Sequence, residues 1–291
     1  MPSLKEVRIR IASVKSTRQI TSAMKMVSAS KLRKGQTTIL SLRPYAEELN
    51  KLMLHLYPYL DQSDAVKYSS GASNNKCLLI VIASNKGLCG AYNANVIKSS
   101  HLHIQELKKQ GKEVSLLLIG KKVIEHFSKF NYPIFESNIH INENPEVKAL
   151  GDYAERLMDL FTSGVYEKIE LVYNRFKNAA SQEVVVEHFL PFENPQHSKM
   201  AEGGSDVYIF EPNKAQIIEE LVPRTLKTQF AKIIMDAYAS EQGARMTSMH
   251  KATENATQLL KDLTISYNKA RQATITREIV EIVSGAEALK S

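Results

Sequence analysis

Met249-His250-Lys251-Ala252-Thr253-Glu254-Asn255-Ala256-Thr257-Gln258-Leu259-Leu260-Lys261-Asp262-Leu263 places Met249, Ala252, Ala256, Leu259 and Leu263 at alternating steps of three and four. That spacing gathers them on one face of an α-helix and sets the period of a coiled coil. The alternation holds upstream in Leu226, Phe230, Ile233 and Ala237, and downstream in Ile275, Ile279, Ile282, Ala286 and Leu289, with shifts of register between the stretches. Much of this seam is Ala or Met, so a partner helix can approach closely. Residues 211–291 therefore read as one C-terminal helix, roughly 120 Å long at 1.5 Å per residue. Pro223 falls in its first turns, where a kink is tolerated. Gly243 and Gly285 each oppose the helix by about 1 kcal/mol relative to Ala, so something beyond local propensity favours it.

The other end of the chain mirrors this pattern. Residues 1–60 read as a second long helix, with Leu4, Val7, Ile11, Val14, Ile20, Ala23, Met24, Val27 and Leu32 as its apolar positions. Gly35 and Pro44 are the first interruptions, and Pro44 is expected to kink the helix or to start a new segment. Two long helices flanking one domain pair most simply as an antiparallel coiled coil, a rod standing on a globe. The N-terminal helix is too short to cover the apolar end of its partner, which predicts a sleeve made by other chains.

Between the helices the period changes. Cys77 to Ala83 is a continuous apolar run of strand length, the pattern of a strand buried on both faces. A helix over 93–110 with Asn93 or Asn95 as its cap, a strand over 114–119, a helix over 121–130, a short strand over 133–136 and a helix over 146–162 follow, then strands over 168–173 and 183–190. Alternating strands and helices argue an open, largely parallel, Rossmann-like sheet over residues 76–192. Residues 61–75 and 193–206 read as linkers. The fold class is α/β: a long antiparallel coiled coil of the terminal helices plus a central open-sheet domain.

Composition narrows the function. The 291 residues are 43% hydrophobic and 24% charged, which excludes disordered and collagenous classes, and the longest apolar runs fall far short of the ~18 residues of a membrane span. Met1-Pro2-Ser3-Leu4-Lys5-Glu6 enters charged sequence at once, so no signal peptide is expected, and the chain reads as cytosolic or cytosol-facing. Cys77 and Cys89 suit a reducing compartment. The net charge of +7 is uneven: residues 1–43 hold ten Lys and Arg against Glu6 alone, while residues 44–210 are net −3. Such an arm meets something anionic: nucleic acid, a membrane face or an acidic protein surface. It has no aromatic residue before Tyr45, which argues against single-strand stacking.

No motif supplies chemistry. Ser84-Asn85-Lys86-Gly87-Leu88-Cys89-Gly90 stands where dinucleotide loops stand but matches neither G-x-G-x-x-G nor a P-loop, and reads as a tight strand-to-helix turn. Asp152, Glu155 and Asp159 share a helical face and read as a solvated acidic surface. His101 and His103, two apart, do not share a face. No catalytic residue, cofactor site or metal site stands out.

The stretch from Ile11-Ala12-Ser13-Val14 through Gln19-Ile20-Thr21-Ser22-Ala23-Met24-Lys25-Met26-Val27-Ser28 to Lys31-Leu32-Arg33-Lys34 closely resembles the N-terminal helix of the γ subunit of F-type ATP synthases. Gly87-Leu88-Cys89-Gly90 resembles that family's central loop. Ala239-Ser240-Glu241-Gln242, Ala244-Arg245-Met246, Tyr267-Asn268-Lys269-Ala270-Arg271-Gln272-Ala273 and Glu281-Ile282-Val283-Ser284-Gly285-Ala286 follow its C-terminal pattern in order.

The resemblance implies a non-catalytic rotor shaft inside a hexamer of three α and three β subunits, its foot on a c-ring beside an ε subunit. It implies no cofactor, no nucleic-acid partner, only indirect membrane contact, and a place on the cytoplasmic face of a bacterial cell membrane. By match to the family pattern, Arg271 and Gln272 would meet the catch loop of a β subunit, Met24 and Lys25 would lie near a β loop where the shaft leaves the hexamer, and Tyr208 and Glu211 would face the c-ring and ε. Lys25 departs from the acid often found at its place. The bottom-up rivals are a basic coiled-coil protein that binds nucleic acid through residues 1–43, and a nucleotide-using enzyme built on residues 76–192.

Overall fold

Every side chain from Cys77 to Ala83 is buried, as a strand covered on both faces requires. This strand, β1 (Lys76–Ile82), lies at the centre of a five-stranded sheet of order β3-β2-β1-β4-β5. Its neighbours β2 (Glu113–Ile119) and β4 (Lys168–Phe176) are both parallel to it, and β3 (Ile134–Asn138) is parallel to β2. Only β5 (Gln182–Leu190) is antiparallel, joined to β4 as a hairpin. The helices are α1 (Leu4–Leu56), α2 (Tyr92–Lys109), α3 (Lys121–Phe127), α4 (Val147–Thr162) and α5 (Lys214–Ala288). This computed structural model describes residues 4–56, 67–69, 71, 73–143, 145–179, 181–192, 211 and 213–288. The expected linkers over 61–75 and 193–206 fall largely or wholly outside those residues.

The chain divides into two compact units: Met1–Ser28 with Met246–Ser291, and Ala29–Arg245. Both α1 and α5 run through the division as continuous helices.

In the larger unit the sheet has two covered faces. One packs Leu79, Val81, Leu116 and Leu118 against Val96, Ile104 and Leu107 of α2 and Val123 and Phe127 of α3. The other packs Leu78, Ile80, Ile82 and Leu171 against α4, the end of α1 (Leu49, Met53, Leu56) and the start of α5 (Ile218, Leu226, Phe230, Ile234). Truncating a fully buried ring such as Phe230 to Ala costs about 3–5 kcal/mol. Residues 233–245 of α5 are buried on every side, so this part of the helix is core rather than amphipathic surface.

The structure narrows one expectation and corrects another. Pro44 neither ends nor restarts a helix, because α1 continues through it to Leu56. Proline removes the hydrogen bond to the carbonyl four residues back, at Leu40; both residues are exposed, so water can satisfy that carbonyl. Asn93 is not a helix cap either, since α2 begins at Tyr92 after Ala91 with no side-chain cap. The Asn93 side chain turns back instead, and its Oδ1 accepts from the Ser84 backbone N–H at 3.0 Å and the Ser84 hydroxyl at 2.9 Å.

Candidate partner-contact surfaces

The smaller unit is a helix pair whose seam can be read residue by residue. On α1 the covered positions Leu4, Val7, Ile11, Val14, Arg18, Thr21, Lys25 and Ser28 follow an unbroken alternation of three and four, with Ser22 and Met24 half-buried beside them. On α5 the same alternation runs through Met249, Thr253, Ala256, Leu260, Leu263, Tyr267 and Ala270, with Ala252 and Thr257 half-buried beside it. The Thr253 hydroxyl donates to the Thr21 hydroxyl at 2.9 Å, and Lys25 Nζ stands 3.2 Å from His250 Nδ1. Residue numbers rise on one helix as they fall on the other, so the pair is antiparallel. Continued along both helices, this register sets Leu4 opposite Ala270.

This seam differs from the apolar list read from sequence. Ile20 and Val27 are exposed, and polar Thr21, Lys25 and Ser28 sit in the seam beside them. On α5 the seam takes Thr253 and Leu260, while Leu259 is exposed. A strict seven-residue period passes through these positions whatever their polarity.

The apolar residues left over form stripes of their own. Ile265, Ile275, Ile279, Ile282 and Val283 are exposed on α5, and in a 3.5-residue period they fall about half a turn from the seam. Ile9, Ile20, Met26 and Val27 do the same on α1. Beyond Ala270 the seam positions turn polar (Thr274, Arg277, Glu281, Ser284), and every residue from Arg271 to Ala288 is exposed. Leu289 lies outside the described residues.

The structure separates the site residues read from sequence. Arg271 and Gln272 are exposed just past the last covered seam position, with Gln272 in line with the outer stripe. Met24 and Lys25 are half-buried on α1. Lys25 pairs with His250, twenty-one residues before Arg271 on α5, so the two pairs lie roughly 30 Å apart along the helix pair. Glu211 is exposed at a bend ahead of α5, and Tyr208 lies outside the described residues.

In the larger unit the loop after β1 is held by α5. Arg245 donates from Nη2 to the Lys86 carbonyl at 3.1 Å and to Glu241 Oε1 at 2.6 Å, and from Nη1 to the Gly87 carbonyl. Tyr92 donates its hydroxyl to the Ala237 carbonyl at 3.0 Å. The loop so fixed presents Leu88 to solvent with a left-handed φ of 63°. Sequence reasoning missed Glu241 and Arg245 as a device, although their spacing of four residues on a helix was the available signal.

Burial governs the remaining polar groups. Cys77 and Cys89 are both buried free thiols, and burial pushes the Cys77 thiol up to about 12 and raises that of Cys89. Glu170, inside the sheet, accepts from His103 Nε2 and pairs with Lys168 Nζ, each at 2.7 Å. Burial alone would raise its pKa, but these two partners overcome it and hold the carboxyl at about 2. Asp159 and Asp152 are exposed, and Glu155 pairs with Lys227 at 2.9 Å. Among the described residues no group of three or more His, Cys, Asp or Glu side chains is arranged to hold a metal ion, and no helix is long and apolar enough to cross a membrane.

Comparison with known proteins gives one answer throughout. A family model described as ATP synthase matches residues 3–289. The ATP synthase gamma chain of Flavobacterium johnsoniae is 49% identical over 99% of this chain and 99% of its own length. That of Cytophaga hutchinsonii is 43% identical over 100% of both. Among solved structures, a chain of the Euglena gracilis mitochondrial ATP synthase F1/c-ring structure superposes with a TM-score of 0.64 at 18% identity, covering 98% of this chain and 94% of that one. A chain of the Tetrahymena thermophila mitochondrial ATP synthase central stalk structure gives 0.59 at 24% identity, covering 80% and 99%. At these identities the structural likenesses speak for the fold.

Proposed function

The chain belongs to the ATP synthase γ-chain family, and from that membership we propose that it acts as the rotating shaft of a central stalk. It is a subunit that moves force, not one that makes or breaks bonds. The helix pair of α1 and α5 turns inside a hexamer of three α and three β subunits, and a c-ring driven by ion flow turns the foot. An asymmetric rod presents a different face to each β subunit at each angle, so rotation imposes conformations in sequence and couples ion flow to ATP synthesis or hydrolysis.

One observation carries this reading: α5 stays helical for eighteen residues beyond its own partner, all exposed, with Ile275, Ile279, Ile282 and Val283 among them. Helices of this kind are stabilised by packing rather than propensity, and an uncovered apolar stripe marks a surface that another chain encloses. The outer stripe on α1 makes the same demand from the other side.

Within this reading Arg271 and Gln272 touch the catch loop of one β subunit, Met24 and Lys25 lie near a β loop where the shaft leaves the hexamer, and Tyr208 and Glu211 belong to the foot, against the c-ring and ε. Residues 1–60 and 211–291 supply the shaft and residues 76–192 the body around the foot. The ten basic side chains of residues 1–43 answer acidic loops on the β subunits. The protein is then peripheral to the membrane, on the cytoplasmic face of a bacterial cell, and reaches it only through its partners.

Reconstitution tests this. Mixed with the α and β subunits of its own source, the chain should give a complex of three α, three β and one γ whose ATPase depends on it, with a tag on the γ chain turning under ATP. No complex with folded partners would sink the reading.

A further inference from the structure

His101 of α2 and His126 of α3 bring their Nε2 atoms to 2.9 Å. The rings meet edge-on, with centroids 5.2 Å apart and planes at 75°. Phe127 and Phe130 pack against both imidazoles at centroid distances between 4.9 and 5.3 Å, and Tyr132 lies 6.0 Å from His101. Each ring therefore has an apolar side and directs one nitrogen at a common point.

The pair can share one hydrogen bond only if one ring carries its proton on Nε2 and the other on Nδ1. In that arrangement both imidazoles are neutral, the state in which histidine ligates metals. Two Zn–N bonds of 2.0–2.1 Å at a tetrahedral angle set the nitrogens about 3.3 Å apart, so a shift of a few tenths of an ångström converts the hydrogen bond into half a ligand set. The ring that carries the Nε2 proton moves it to Nδ1, and no net proton is released.

We propose that His101 and His126 form a two-histidine site for an imidazole-seeking divalent cation such as Zn2+, with water in the remaining positions. A site with two protein ligands is open and exchangeable, unlike the closed four-ligand sites that hold a fold together. Lys129 beside His126, and Lys108 with its Nζ 4.9 Å from the centre of the Tyr132 ring, place positive charge nearby and keep binding reversible. Loading the site would clamp the seven-residue helix α3 to α2 on the outer face of the sheet.

Titration of the purified full-length chain with Zn2+, followed by calorimetry, tests the proposal. A saturable single-site isotherm is expected. His101→Gln and His126→Gln should each weaken it by more than the ~10–100-fold typical of losing an outer-shell partner, while His140→Gln, on an exposed loop, leaves it unchanged. Glutamine can keep a hydrogen bond to the remaining imidazole, and melting curves matching the parent chain show that each variant is folded. Hydrogen exchange should also slow in α3 when Zn2+ is present. Absence of saturable binding overturns the proposal, as does affinity unchanged in both glutamine variants, or loss in the His140→Gln control.

Discussion

Glu241 and Arg245, one turn apart on α5, form a buried ion pair at 2.6 Å whose guanidinium also grips the backbone of the loop after β1. Burial pushes the Glu241 carboxyl above its ordinary range, while Arg245, Lys31 and Lys86 pull it back. The pair sits in a core that would otherwise favour apolar side chains, so its use is positional: it sets where Lys86, Gly87 and Leu88 stand relative to the helix.

Arg245→Ala strands a buried carboxylate and frees two carbonyls, and should destabilise the larger unit by about 3–5 kcal/mol. Denaturant melts measure this, and hydrogen exchange should quicken in residues 84–91. Because most of the loss comes from the orphaned charge, Glu241→Gln with Arg245→Met should cost much less than Arg245→Ala. Equal losses would contradict that account.

Asp236 on α5 is buried facing Lys232 of its own helix, Arg175 of β4, Glu187 of β5 and Arg43 of α1, and burial raises its pKa to about 6. A carboxyl raised in the folded state makes folding most favourable below its unfolded value near 3.9. Stability then falls as pH climbs to about 6 and stays level above. Asp236→Asn should therefore stabilise the chain at pH 7 by at most about 3 kcal/mol, with the gain gone near pH 4. A gain that does not depend on pH would point to packing instead.

The two glycines of α5 should respond oppositely to alanine. A Cβ on Gly243 would meet the Ala179 carbonyl oxygen at 3.2 Å and its Cα at 3.3 Å, whereas one on Gly285 meets nothing within 4 Å. Gly285→Ala should gain up to about 1 kcal/mol of helix stability. Gly243→Ala should lose a comparable amount, because backbone cannot swing aside as a flexible side chain can. Thermal melts of the two variants decide it, and a stabilised Gly243→Ala would refute the close approach.

Arg271→Ala removes an exposed side chain that nothing in its own chain needs. Its effect on the isolated protein should stay within about 0.5 kcal/mol. In the reconstituted complex, ATP-driven turnover or assembly should fall, because the proposed charge-assisted contact with a β subunit would be lost. Unchanged ATPase and unchanged proton pumping would remove Arg271 from the interface.

Deleting residues from Ile275 onward takes away most of the outer α5 stripe and no seam position that faces α1. The melting of the larger unit should not change, while retention of the chain in the hexamer should weaken, as read by gel filtration of the complex. A drop in the melting of the larger unit would contradict this separation.

The terminal helices and the uncovered end of α5 were legible because each rests on a long periodic signal, and the parallel core of the sheet because its strands are continuous apolar runs bounded by helical stretches. The seam was harder. Thr21, Lys25 and Ser28 occupy it while Ile20, Ala23 and Val27 lie outside, so hydrophobicity alone misplaces part of the seam on α1 although Leu4, Val7, Ile11, Val14, Met24 and Leu32 are covered. A helix that must satisfy both its own partner and an outside one carries two overlapping patterns, and a list of apolar residues mixes them. The Asn93 cap failed for a related reason: the residue type was right for a cap, but the Ser84 backbone and hydroxyl compete for the same amide. Spacing relates His101 only to His103, its neighbour in sequence, whereas its partner His126 stands on another helix; no spacing rule reaches that far.

The outward-facing isoleucines have a consequence for the life of the chain before it is incorporated. A γ chain made in excess of its enclosing subunits carries Ile275, Ile279, Ile282 and Val283 bare in water on a free helical end. Such a molecule is prone to aggregate and is a natural client for holding chaperones and proteases. On the proposed reading, the side chains that hold the shaft once enclosed would also mark unassembled copies for removal, so that supply of this subunit would be policed by its own surface.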